Sequence, residues 1–464
     1  MIAWIVTAIM AATVCYSVLR IPLQVTDSLI PMLDAQRSSS VIGAFASGAT
    51  NAGYFRPLRA AQIQALFELS NGHYFAAYKG FQAATVLVVF ALFLAVLEVD
   101  SRQRAAALLF ALTVLMGLHT FRGTVWEAYP VNHSLEVVAF CLLALLLARS
   151  GAGRWTDAAA VLTFIAATFT VESGLLVWVV IAAAWLTGAR GISRRGVIVI
   201  TVLLAVYVAM RFGYLRTGVP ALSERSSGFG LQQLDPAELQ RRFGAWPYGF
   251  YAYNVLSSML TVLFSEPRAG IWTTAAEFAR GRIAAGTIIN IVSSAVTTAV
   301  IGWFVIARRD VWTRRAFERD DQIVFVSLAV IVANAVISYG YTKDEIMGPA
   351  GVFYALAACV GIVFVLRTVG EQIHRVPSAT LALVLAIVSA GWVVRTAGLH
   401  YQMNMMTFYD RNEWVYVDDW LVRQQSVPTT EAGKALVHQL REDALERAAV
   451  NPYLLSPRLD QWFR

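Results

Sequence analysis

The chain has 464 residues, of which 58% are hydrophobic and 14% charged, whereas a soluble domain carries roughly 45–50% apolar and about 25% charged residues. That balance excludes an ordinary soluble globule and calls for a lipid-facing surface. The net charge of +7 does not point to nucleic acid, since no basic stripe with interleaved aromatics is present and cytoplasmic loops of membrane proteins accumulate Arg and Lys.

The first apolar run, 2–19, reads as a span. No charged n-region with a small-residue cleavage site precedes it, so Met1 is expected to begin that span uncleaved. A long polar segment, 20–80, follows. It opens QVTDSLIPMLDAQR, with Asp27 a few residues past the membrane edge and Asp34 seven residues later, two helical turns away and on one face of a helix. The same segment continues NAGYFRPLRAAQIQALFEL. Pro57 suits the first turn of a helix. Leu58, Ile63, Leu66 and Phe67 would form its apolar face, and Arg59 and Glu68 its polar side, so that it lies along the membrane surface. Tyr54 and Arg56 stand just before it.

Further spans are expected near 81–98, 105–119, 133–149, 157–171, 173–188, 196–212, 284–307, 322–340, 348–366 and 377–396, about eleven in all at roughly 17–25 residues each. Those at 105–119 and 157–188 are short and need a thinned bilayer or shelter among other helices. Residues 119–132 carry His119, Arg122 and Glu127. Asn132, His133 and Glu136 mark the start of the next span, and Glu172 falls in the tight turn between 171 and 173. An ionisable residue at membrane depth is costly and therefore a functional candidate. The segment 213–283 is a large loop whose stretch 249–264 reads as a re-entrant or interfacial helix. Residues 341–347 hold Lys343. The tail 397–464 contains one amphipathic helix, capped by Thr429 or Thr430, with Leu436, Val437, Leu440, Ala444 and Leu445 at helical spacing.

The loops set the orientation. One alternating set is short and basic: Arg102 and Arg104, Arg149 and Arg154, Arg190 to Arg195, Arg308 to Arg319, and Arg367 with Arg375. Placed in the cytoplasm, these put the N-terminus inside and the C-terminus outside. All the sizeable polar mass then faces the extracytoplasmic side. Arginine far outnumbers lysine, which occurs only at Lys79, Lys343 and Lys434. With abundant alanine this is the composition of a GC-rich bacterial chain, and the expected home is the bacterial inner membrane. Cys15, Cys141 and Cys359 all lie in apolar runs, against a disulfide framework. No Gly-rich phosphate loop, H-E-x-x-H, CxxC or nucleophile elbow is present.

An acidic residue just after the first span, a YFRPL segment and an amphipathic surface helix together resemble the GT-C membrane glycosyltransferases, a superfamily that includes protein O-mannosyltransferases and lipid A and arabinan transferases. The resemblance covers about residues 1–212 and the topology. It implies an all-helical bundle with a shared N-terminal module (1–212), followed here by the loop 213–283, late spans (284–396) and an extracytoplasmic tail (397–464). It implies inverting transfer of a sugar from a polyprenyl-phosphate donor to a glycan, lipid or protein acceptor at the extracytoplasmic face. Asp27 would be the catalytic base. Arg56 and Lys343 would meet the donor phosphate, with His133, Glu172, Asp34 and Tyr54 completing the substrate site. Many members carry an adjacent acidic pair where this chain has Asp27 followed by Ser28, and no metal or other cofactor is assigned. Two rival readings are a transporter or lipid flippase, whose polar groups would sit near the midplane, and a polysaccharide polymerase or ligase built on the 213–283 loop.

Overall fold

The computed structural model describes residues 2–447 with Leu459 and Trp462, except Ser39, 51–53, Ala128, 216–225, 229–231, 265–270, Arg282, Tyr341, Lys343, Asp344 and 372–377. It is a helical membrane protein. Tyr74–Leu97, Ala285–Thr313, Arg319–Ile337 and Glu345–Thr368 are long and apolar enough to cross a bilayer. Arg102–Gly117 and His119–Trp126, bent 63° apart, make a fifth crossing if the pair is one broken span. Shorter apolar helices accompany them.

Local chemistry sets most of the boundaries. Helix α1 (Ile2–Val18) is apolar on all sides, and α2 (Val25–Arg37) follows after Pro22. After α3 (Val41–Thr50), Pro57 opens α4 (Pro57–Leu69), where its missing N–H is no loss. Helix α5 (Tyr74–Leu97) leads to α6 (Arg102–Gly117), which Ser101 caps by accepting the Arg104 N–H at 3.2 Å. The chain breaks at Leu118 and resumes as α7 (His119–Trp126). A side chain at Gly117 would meet the Trp392 ring at 2.8 Å, so the break is packed too closely for anything larger. Asn132 caps α8 (His133–Arg149) through the Leu135 N–H. Helix α9 (Arg154–Thr170) turns through the short 3-10 helix Glu172–Leu175 into α10 (Leu176–Leu186). Gly174 allows that turn, because a Cβ there would strike the Ala167 carbonyl.

Helix α11 (Arg194–Val208) ends in one π-helical turn, Ala209–Tyr214. A two-stranded ribbon, Ser226–Gly228 against Gln232–Leu234, precedes α12 (Pro236–Phe243), α13 (Tyr248–Phe264) and α14 (Ile271–Ala279). Then come α15 (Ala285–Thr313), α16 (Arg319–Ile337), α17 (Gly348–Glu371) and α18 (Ser378–Val415), and last α19 (Val417–Arg423) and α20 (Glu431–Arg447). The segments that the sequence marks as spans are largely helical among the described residues, with a break at Leu118 in the one expected at 105–119, and four or five of them have the length and apolarity of a crossing. Helix α18 runs unbroken to Val415, well beyond the expected end at 396, and α5 starts at Tyr74, so Lys79 is buried in a helix and does not close a loop.

Side-chain bonds sort the helix ends into two groups. At one end Arg104 pairs with Asp320 at 2.7 Å, Arg319 with Glu98, and Arg308 with Asp321 at 2.7 Å, while Arg149 donates to the Val96 carbonyl at 2.7 Å. At the other end Arg56 and Arg211 meet Glu172, Gln62 donates to Glu136, His119 meets Asn290, and Glu413 reaches Val25. Helix α11 therefore ends, and α15 begins, at the same end of the bundle. A second, smaller core joins α2 to the tail: Leu29, Leu33, Trp414, Val417, Leu436 and Leu440 are all buried there. Four residues of the expected stripe on α20 (Leu436, Val437, Leu440, Ala444) face this core, and Thr430 is the cap, accepting the Gly433 N–H at 3.2 Å.

Candidate functional site

The site is built at the end of the bundle where α2, α4, α7, α8 and the Glu172 turn converge. Helix α2 buries Val25, Leu29, Met32 and Leu33 and exposes Asp27 and Asp34. Asp27 does not cap the helix. The N-cap is Gln24, whose side chain makes no capping bond, and the free N–H groups of Val25 and Thr26 are taken by the Glu413 carboxylate at 2.8 and 3.4 Å. A helix N-terminus attracts negative charge, and here that charge comes from the far end of α18. Asp27 is left without a hydrogen bond or ion pair among the described residues. Asp34 pairs with Arg37 on its own helix at 3.6 Å and faces solvent.

Arg56 sits at the N-cap of α4 and is aimed at Glu172. Its Nη2 lies 2.7 Å and its Nε 3.2 Å from Oε2, a forked charge-assisted contact. Arg211 approaches the same carboxylate from the π-helical turn, 2.9 Å from Oε1, and also donates to the Tyr207 hydroxyl at 3.0 Å. Two guanidinium groups thus share one carboxylate. Burial opposes the charge on Arg56, but Glu172 outweighs it and holds the group more firmly protonated. Phe55 locks the approach from below, packed edge-on against Phe169 at 5.4 Å, and the half-exposed Tyr54 ring lies against the Arg56 guanidinium at 4.5 Å.

One turn along α4, Arg59 has no carboxylate partner among the described residues. Its guanidinium lies 5.5 Å from the Tyr129 ring, and its Nε is buried and unpaired. Burial, and then the like charge of Arg56, bring it down to about 10, while Glu127 and Asp27 lie near enough to pull the other way. Tyr129 in turn stacks on His133 at 5.1 Å. Burial, Glu127 and Asp27 raise the Tyr129 phenol well above its ordinary range. Glu136 is buried below them; it accepts the Gln62 amide at 2.6 Å through one oxygen and has no partner on the other. Asp27, Arg59, Glu127, Tyr129 and His133 are therefore one electrostatic neighbourhood.

A second basic group lies behind α7. Arg395 is buried, stacks on Trp392 at 3.9 Å, and donates to the Gly117 carbonyl and the hydroxyls of Ser293 and Ser294 at 2.8–2.9 Å. It meets no carboxylate among the described residues, and one of its nitrogens is unpaired. With His119, Arg122 and Asn290 it lines a cavity of about 10 Å³, room for about one water.

The structure thus gathers Asp27, Tyr54, Arg56, His133 and Glu172 at one end of the bundle, and it turns Asp34 to solvent on Arg37. Lys343 lies outside the described residues. Glu127 and Arg211 join the site as well, and so do Arg59, Tyr129 and Arg395, which the sequence does not single out for it. A signal existed for two of them. Arg59 is the second basic residue of YFRPLR, and Arg395 is a lone charge inside an expected span. Comparison of the chain with protein-family models, curated proteins and solved structures gives no match.

Proposed function

We propose that the chain transfers a sugar from a polyprenyl-phosphate donor to an acceptor hydroxyl at the extracytoplasmic face of a bacterial inner membrane. The observation that carries this is Asp27, a carboxylate relieved of helix capping by Glu413 and within electrostatic range of a cation, Arg59, that has no carboxylate partner among the described residues. A general base and a phosphate-binding cation are the two groups such a transfer needs, because departing phosphate develops charge as the hydroxyl gives up its proton. Asp27 takes the acceptor proton, the acceptor oxygen bonds to the anomeric carbon, and the carbon–oxygen bond to the lipid phosphate breaks with its electron pair leaving on phosphate. In-line attack inverts the configuration. Arg59 meets the leaving phosphate, and Glu172 holds Arg56 and Arg211 at the rim.

The topology that fits is eleven crossings with the N-terminus in the cytoplasm and the C-terminus outside. The basic loops fall at one end of the bundle and the site at the other. Helix α13 fits a re-entrant segment. Asn254 near its start donates to the Tyr339 carbonyl beyond the end of α16, while the Leu263 carbonyl near its far end accepts from Thr298 midway along α15. A transporter reading has less support, because these charges gather at one end and not at mid-bundle.

The test compares Asp27→Asn, Asp34→Asn and Glu172→Gln for transfer of labelled sugar in membranes at matched expression. Loss of a general base costs about 10²–10⁴-fold in rate. Asp27→Asn should lose that much and Asp34→Asn almost nothing. Equal activity in parent and Asp27→Asn sinks the assignment.

A further inference from the structure

A groove of about 690 Å³ lies between α1 and α18. On α1 it is lined by one stripe, from Ile9 through Thr13 to Ser17, with Arg20 in the turn that follows the helix. The eight steps from Ile9 to Ser17 rise about 12 Å, and the turn to Arg20 brings the span close to half of an apolar core about 30 Å thick. The groove therefore has the depth of one leaflet, and Arg20 stands at its outer end. The opposite wall is His400, Asn404 and Thr407 on α18.

The groove wall is mostly apolar, as a lipid chain needs, with a few polar groups set into it. Ser17 and His400 bond across it at 3.0 Å. The Asn404 amide nitrogen is buried with no partner. The Arg20 guanidinium lies 5.6 Å from the Tyr16 ring and meets no carboxylate among the described residues. An unpaired cation at the mouth of a leaflet-deep groove is complementary to a lipid whose anionic headgroup sits at the interface and whose chain runs inward.

The mouth lies at the end of the bundle that carries the proposed base. Arg20 leads in seven residues to Asp27. Thr407 leads in six to Glu413, the residue that caps α2, a rise of about 9 Å. The cations suited to the donor phosphate, Arg59 with Arg56 and Arg211, stand on α4 and α11. In-line displacement needs the acceptor hydroxyl on the face of the anomeric carbon opposite the leaving phosphate.

We propose that the α1/α18 groove holds the acceptor, and that the acceptor is a membrane lipid with a phosphate in its headgroup. This rests on the transferase reading for the word acceptor; the lipid site stands on the groove alone. The donor lies against α4 on one side of Asp27, and the second lipid enters sideways through the groove on the other.

The experiment uses the full chain in lipid nanodiscs and a dodecyl phosphate probe bearing a diazirine at the far end of its chain. After photolysis the labelled residues are mapped. Label should concentrate on 9–20 and 400–407, and it should fall at least about tenfold in Arg20→Gln, the loss expected for a charge-assisted contact. The uncharged dodecanol probe should label weakly. Thr13→Trp, which fills the groove, should block the probe. Should that variant fail to fold, Arg20→Gln decides, since Arg20 meets no carboxylate among the described residues. Excess polyprenyl phosphate should leave the groove label in place. Label spread over the lipid-facing sides of α9 and α11 as well would make the groove ordinary boundary lipid and overturn the site. Displacement by polyprenyl phosphate would assign the groove to the donor and overturn the acceptor. Labelling needs no turnover, so Asp27→Asn should label like the parent. Full transfer by that variant, with the groove still labelled, would remove the transferase reading and leave the lipid site.

Discussion

The two ends of the bundle handle charge differently. At the end that gathers α5 to α6 and α15 to α16, acids match three of the buried or half-buried arginines, while Arg149 meets the Val96 carbonyl and keeps a buried, unpaired Nε. Arg104 has Asp320 and Asp100, Arg308 has Asp321 and Glu318, and Arg319 has Glu98. Asp321 is fully buried, and Arg308, the Trp312 indole and the Glu318 N–H together satisfy it. At the other end Arg56 and Arg211 divide one carboxylate, and Arg59 and Arg395 have none among the described residues. Meanwhile Asp27 stands free and Glu136 keeps an unpaired oxygen. Burying an unpaired charge is expensive, so a fold selected for stability alone would have paired these groups as it did at the opposite end. Matched charges there fasten helices to one another. The unmatched ones are held ready for something that arrives.

That contrast predicts opposite phenotypes. The largest effect belongs to Arg104→Ala. It leaves Asp320 partly buried with only the distant Arg367, 3.8 Å away. Removing one member of a buried pair costs about 3–5 kcal/mol. The variant should lose several degrees of melting temperature in detergent, while transfer per folded molecule is kept. An unchanged melting curve would mean that the pairing at this end does not fasten the bundle.

The C-terminal tail gives the next largest effect. Leu440 is 3% exposed in the small core that seats α20 on α2. Leu440→Ala should cost that contact about 2–5 kcal/mol and expose the tail to limited proteolysis between α19 and α20. A protease-resistant tail in the variant would show that this core does not hold it down.

Arg59→Ala tests the other side of the comparison. Loss of a hydrogen bond to a charged group costs about 1.5–3 kcal/mol. Binding of a polyprenyl-phosphate analogue should therefore weaken about 10–100-fold, with the melting temperature unchanged or raised, since a cation short of partners has been removed. A lower melting temperature with full binding would make Arg59 structural.

Much of this arrangement is legible in the sequence, for identifiable reasons. Lipid requires long apolar helices, so the span segments stand out by composition alone. Pro57 and the α20 stripe are local signals and mark their elements directly. The partners in the site are not local. Glu413 caps α2 across 388 residues, and Arg211 reaches Glu172 across 39. Neither contact leaves a trace in spacing. Asp27 can be picked out as the first acid beyond the first span, but its freedom from capping becomes visible only with α18 in place. The same holds for Arg56, whose position is marked by the YFRPL segment while its engagement with Glu172 is not.

The smallest predicted effect concerns that cap. Burial raises the Glu413 carboxyl above its ordinary value, and nearby Asp27 adds to the rise, although the Val25 and Thr26 N–H groups oppose it. The native state therefore keeps its proton to a higher pH than the unfolded chain does. Between the two pKa values the native state binds more protons, so its stability falls as pH climbs through that window and levels off above it. In Glu413→Gln the carboxamide oxygen still accepts from Val25 and nothing titrates at that position. A melting series from acid to neutral pH should slope gently downward in the parent across this window and run flatter in Glu413→Gln. The variant also separates two roles for the cap. If Glu413 serves only to place α2, Glu413→Gln keeps transfer activity and its pH profile, because Asp27 stays where it was. If the Glu413 charge also bears on the site, Glu413→Gln changes transfer activity although α2 stays in place. A flat melting series in the parent would show that Glu413 carries no such linkage.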